Sequence, residues 1–155
     1  KGGSKYLISP WALTWNDDCY YMIGYDADVE RIKHYRVDRM HGIQLSPLQR
    51  LGADKFREFD LAAYCQKTFH MFAGREETLL LEFEDRLSGV VFDRFGRDIS
   101  VHKKENDCFT VHVSVMVSNQ FFGWLAGLGA GARIQMPEET AKEYKEYLQR
   151  IIDQM

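Results

Sequence analysis

Apolar and polar positions follow two different rhythms along this chain. Over the first fifty residues they come in short runs broken by polar clusters. Tyr6 to Leu13 is apolar-rich and interrupted by Pro10, and Asn16-Asp17-Asp18 is a turn cluster. Tyr20 to Tyr25 is an aromatic run of high β-propensity, closed by Asp26-Ala27-Asp28. Ile32 to Met40 alternates, and Gly42 to Leu45 adds a short piece. Short strands joined by tight polar turns predict a small barrel or a curled sheet. From Asp60 the rhythm changes: Leu61, Tyr64, Cys65, Thr68, Phe69 and Phe72 recur at helical spacing, with Asp60 placed to cap the start and Ala73-Gly74 to close the end.

Beyond Gly74 strands and helices alternate. Leu79, Leu81 and Phe83 fill one face of a strand; Leu87 to Phe95 reads as a short helix ended by Gly96. Ile99, Val101 and Lys103 begin a hairpin arm that turns at Glu105-Asn106-Asp107. The return arm carries the clearest period of two in the chain, with Phe109, Val111, Val113, Val115 and Val117 on one side. A helix over Phe121 to Leu128, a strand over Arg133 to Met136, and a last helix opened by Pro137-Glu138-Glu139 complete the series. The order β-α-β-β-α-β-α predicts a ferredoxin-like split βαβ with an extra terminal helix. The expected fold class is thus α+β. The division is a β-rich domain over residues 1–50, a helical connector over 51–75 and the ferredoxin-like domain over 76–155.

Composition narrows the options without choosing among them. Hydrophobic residues make up 45% of the 155, enough for packed cores. The formal net charge of -3 excludes the broad basic face of a duplex-DNA binder, so any anion site has to be local. Three cysteines, Cys19, Cys65 and Cys108, lie far apart without a Cys-x-x-Cys pair, and read as thiols in a reducing cytoplasm. Phe121 to Ala132 is too short to span a bilayer and is interrupted by glycines. The five histidines show no metal-ligand spacing, so neither metal nor cofactor is expected.

Few residues offer chemistry. Tyr20 and Tyr21, as strand neighbours, point to opposite faces, so one is expected in the core and the other outside. Arg36 and Arg39 can present bidentate donors to a phosphate or carboxylate, provided the strand bends or ends between them. Asp38 can equally tie both into a structural ion-pair cluster. Gly123, Gly127, Gly129 and Gly131 lie in and after a helix rather than before one, which fits packing and a C-terminal cap better than a phosphate loop. Glu82 and Glu84 share the outer face of a strand and read as solvated. In the last helix Ala141, Tyr144, Leu148, Ile151 and Met155 form a seam of about two heptads, either one face packed on its own sheet or a dimer contact. No catalytic constellation emerges.

Three runs, in their order, carry a resemblance: Tyr20-Tyr21-Met22, then His34-Tyr35-Arg36-Val37-Asp38-Arg39-Met40, then Phe121-Phe122-Gly123-Trp124-Leu125 through Gly129 with Met136-Pro137 after it. Together with the Pro10-Trp11-Ala12-Leu13 stretch they resemble bacterial transcription regulators carrying a WYL domain followed by its C-terminal extension, WCX. The resemblance implies a small Sm/SH3-like β-barrel, here incomplete, followed by the ferredoxin-like domain. It implies a non-enzymatic module that binds an anionic effector, a nucleotide or single-stranded nucleic acid, through Tyr21, Arg36 and Arg39, with Trp11 and Tyr20 beside them. Pro10, Asp38, Trp124 and Gly129 take structural roles in that picture. A homodimer is implied, as is a winged helix-turn-helix head in the parent protein; none is legible here, and Lys1-Gly2-Gly3 reads as the middle of a loop. The alternatives are a ferredoxin-like small-molecule enzyme and a purely structural oligomerisation domain.

Overall fold

Asp17 and Asp18 turn the first two strands back on each other. Both have positive φ, 46° and 57°, the conformation that lets a two-residue hairpin follow the twist of its strands. The computed structural model describes residues 5–72 and 74–155, so the loop reading of Lys1-Gly2-Gly3 and the part of Ala73 in a helix end lie outside the described residues. The chain separates into two units, residues 1–62 and 63–155.

In the first unit β1 (Ile8–Asn16), β2 (Cys19–Asp26) and β3 (Arg31–Arg36) form an antiparallel sheet in sequence order. Pro10 lies on the edge strand β1, where its missing N–H costs least, and the register shifts between Pro10 and Ala12. The sheet is open: among the described residues nothing closes it into a barrel, and Gly42 to Leu45 pairs with no strand. Three strands cannot curl far enough for their edges to meet. Two elements also stop earlier than their periodicity predicts. β3 ends at Arg36 in a 3-10 turn over Val37–Arg39, and the helical stretch after the short α1 (Ala53–Phe56) is α2, confined to Leu61–Lys67. Gly52 is the N-cap of α1; its φ is 83°, and a Cβ added there would lie 2.5 Å from the Tyr25 ring, so no side chain fits. On the sheet's other side Asp26 is buried and accepts from Lys33 Nζ at 2.6 Å and from the Tyr35 hydroxyl at 3.3 Å.

In the second unit β4 (Arg75–Glu84), β5 (Val101–Lys103), β6 (Cys108–Val117) and β7 (Ala132–Met136) make an antiparallel sheet in the order β5-β6-β4-β7. Helices α3 (Ser88–Phe95) and α4 (Asn119–Gly127) supply the two crossovers, which gives the ferredoxin-like topology, and α5 (Glu138–Ile152) follows. The core lies on one sheet face. Leu79, Leu81, Val111 and Val115 are fully buried there against Val91 of α3 and Phe121 and Leu125 of α4. Each such side chain contributes about 1.5–3 kcal/mol. Ser118 starts α4 by accepting from the Phe121 amide, and Gly129, at φ 69°, lies just past its C-cap residue Leu128. Trp124 packs between Phe69 and Phe95.

The opposite face of this sheet is polar but not uniformly solvated, contrary to the reading of Glu82. That residue is 4% exposed. Its carboxylate accepts from Lys104 Nζ at 2.7 Å and from Arg133 and Gln135. The Lys104 hydrogen bond, with Arg133, holds Glu82 below the usual carboxylate range against the opposing pull of burial. Burial here is satisfied by three donors that sequence spacing does not reveal.

Candidate anion site at the end of the first sheet

Strand pairing, rather than sequence neighbourhood, assembles the candidate site. Thr14, Tyr21 and Arg36 stand in one row across β1, β2 and β3. Alternation puts Ile23 and His34 on the same face one pair along, with the His34 ring edge-on to Tyr21 at 6.2 Å. Tyr21 and Ile23 are the buried pair that anchors this row. Tyr20 points the other way, is 57% exposed, and meets the ring of Trp15 edge-on at 4.7 Å. The expected split between the two tyrosines therefore has a definite direction.

Arg36 ends β3, and the turn that follows folds Asp38 back onto it. Arg36 Nε donates to Asp38 Oδ1 at 2.9 Å and Nη2 to Oδ2 at 2.7 Å, a bidentate pair on a partly exposed surface. The pairing holds the Asp38 carboxyl below its ordinary value and keeps the Arg36 guanidinium charged well above its own. Arg39 is exposed and makes no hydrogen bond or ion pair among the described residues. The strand does end between the two arginines, as a shared site requires. At the hairpin end, next to this row, Asn16 Oδ1 is buried without a partner, an acceptor that sequence reading passes over because nothing in a turn cluster marks it.

Trp11 is placed elsewhere. Its indole N–H donates to the Leu51 carbonyl at 2.9 Å, Phe56 stacks on it at 5.3 Å, and the Arg50 guanidinium lies 4.3 Å from its ring centroid. It is tied to the segment after the sheet rather than to the Arg36 row. Trp15, not singled out by the sequence, is the aromatic beside Tyr20; its signal is the alternation that pairs the two across the hairpin.

The WYL domain model matches residues 1–45, and the WCX domain model matches residues 75–152. The chain belongs to the family in which a WYL domain is followed by a WCX domain. A solved structure of proteasome accessory factor B/C (PafBC) of Arthrobacter aurescens is similar at 15% identity and a TM-score of 0.45; the overlap covers 95% of this chain and 22% of that one. This chain thus spans less than a quarter of that structure's length. No curated protein matches it. Within the WYL match fall the Tyr21–Arg36 row and the Arg36–Asp38 chelate; the ferredoxin-like sheet and α5 make up the WCX match. No helix among the described residues is long and apolar enough to cross a membrane.

Proposed function

We propose that this chain is the effector-sensing and pairing portion of a cytoplasmic transcription regulator. Residues 1–50 bind an anionic effector, a nucleotide or single-stranded nucleic acid, 51–75 connect, and 76–155 couple that state to homodimer geometry. The observation that carries the reading is the row that sets Arg36 beside the buried Tyr21, with the unpartnered Arg39 on the turn immediately after. Two guanidiniums supply the charge-assisted donors a phosphate needs, and the buried Tyr21 fixes the base of Arg36. Coupling to a DNA-binding head requires that the effector favour one arrangement of the dimer over another.

Fluorescence anisotropy tests the ligand class. A labelled single-stranded oligonucleotide should bind at physiological salt and should resist competition by duplex of the same sequence. A net charge of -3 offers duplex no continuous basic face. Preferential duplex binding would overturn the assignment. Pairing is tested through α5, whose Ile151 and Ile152 are 45% and 61% exposed, so charging them leaves the core untouched. Light scattering should give twice the 18.1 kDa chain mass for the native protein and a monomer for Ile151→Glu/Ile152→Glu, at unchanged melting temperature. A native monomer at high concentration would remove pairing from the reading.

A second reading has its own observation. The Arg36–Asp38 chelate is complete without a ligand, as a purely structural assembly domain would have it. Loss of both arginines would then unfold the first sheet instead of weakening binding.

A further inference from the structure

The β5–β6 hairpin comes apart after three residue pairs. Val101, His102 and Lys103 pair with Val111, Thr110 and Phe109, and there the ladder stops. Continued register would bring Ser100 against His112, Ile99 against Val113 and Asp98 against Ser114. Instead these six residues line a cavity of about 260 Å³, with Phe95 at its apolar wall and Gln66 and Lys67 of α2 across its top.

The fork leaves backbone groups facing that cavity. The Lys104 amide donates to the Cys108 carbonyl, which places the peptide groups of Cys108 and Thr110 on the β5 side of β6. Alternation carries the N–H and C=O of His112 and Ser114 to the same side, past the end of β5. The Val101–Val111 pair engages the His112 amide with the Ser100 carbonyl, so the His112 C=O and both backbone groups of Ser114 are what the ladder leaves open. Buried or half-buried backbone groups normally find partners, so an edge facing a cavity is a template for a ligand that offers both a donor and an acceptor. Charge at the rim is mixed. Asp98 is exposed and makes no ion pair among the described residues, while Lys67 gives one hydrogen bond to Glu76 at 2.6 Å and keeps two N–H donors. Ile99, Val113 and Phe95 supply an apolar wall between these poles.

The geometry points to a second small-ligand site in the WCX domain, taking a small apolar α-amino acid as its zwitterion. The ligand's carboxylate accepts from Lys67 and a β6 amide, its ammonium donates to Asp98 and a β6 carbonyl, and its side chain rests on Ile99 and Val113. The volume lies below the roughly 300–1,000 Å³ of drug-sized sites, which suits an occupant of few heavy atoms. The site is independent of the anion site in the WYL domain.

The test is a titration of the full chain, labelled with nitrogen-15, with L-leucine and L-valine, following amide resonances. Isocaproate, lacking the ammonium, and isoamylamine, lacking the carboxylate, serve as one-charge controls. Saturable shifts centred on His112 and Ser114 are expected with at least one amino acid, with both controls at least tenfold weaker. Lys67→Met and Asp98→Asn should each weaken binding at least tenfold. Ser114→Pro removes the open amide without breaking a β5 ladder bond and should abolish binding, whereas Ser114→Ala keeps the amide and should bind as the native chain does. Circular dichroism establishes that the proline variant is folded; if it is not, the two charge variants decide. Absence of saturable shifts at millimolar probe overturns the site. Equal binding of the one-charge controls overturns the zwitterion, and loss in Ser114→Ala overturns the backbone role.

Discussion

Replacing Arg36 and Arg39 together by alanine should weaken single-stranded oligonucleotide binding by about a hundredfold or more while leaving the fold in place. Removing one charge-assisted hydrogen bond costs about 1.5–3 kcal/mol, and two guanidiniums act together here. The stability change should stay within about 1 kcal/mol, because the only partner broken among the described residues is an ion pair whose members, Arg36 and Asp38, are 30% and 57% exposed. Asp38→Asn should act in the opposite direction, freeing Arg36 and tightening binding several-fold. Anisotropy titrations paired with thermal melts of the same preparations read both quantities. Unchanged affinity in the double variant would refute the site, and a collapse in melting temperature would support the structural ion-pair reading.

Phe69→Ala should be the most damaging single change in the second unit. The ring is 2% exposed and meets Phe95, Phe121 and Trp124, with the Arg94 guanidinium 3.8 Å from its centroid. Truncating a phenylalanine so enclosed costs about 3–5 kcal/mol, part transfer and part cavity. In a unit of this size each kcal/mol lowers the melting temperature by about 4–8 °C. Phe72→Ala, three residues on and 52% exposed, is the internal control and should move stability by no more than about 0.5 kcal/mol. Melts of the full chain followed by circular dichroism make the comparison. Equal, small effects would mean that the core does not depend on this segment.

Phe69 also shows where sequence reading stops. Its helical spacing with Leu61, Tyr64 and Cys65 is real, but the helix ends at Lys67, and His70 and Met71 adopt positive φ of 48° and 53°. Burial of Phe69 and Met71 pulls the backbone out of the helix, and the hydrophobic pattern cannot separate that from one more turn. β6 was legible because its core face is apolar and buried throughout, so a period of two survives from Phe109 to Val117. β3 was legible only to Arg36: the alternation of Val37 and Met40 continues on paper, while the Asp38 chelate closes a turn. Glu82 misled for a third reason. Its partners arrive from elsewhere, Arg133 and Gln135 from β7 and Lys104 from the turn after β5, and a period-two pattern records which face a residue takes, not who else is there. At the candidate site the two arginines and the tyrosine pair were readable from the sequence, whereas Trp15 and the orphaned Asn16 acceptor needed strand register to be seen.

On the proposed function, the Arg36–Asp38 chelate is a tethered competitor for the effector. A carboxylate two residues away is present at an effective concentration that a free monoanion reaches only when abundant, so exchanging one for the other yields little net free energy. An effector gains a margin only by bringing a second charge to Arg39, which Asp38 does not chelate. On the proposed function the site is expected to discriminate by valence, with inorganic monoanions and lone carboxylates leaving it latched and a chain of phosphates opening it.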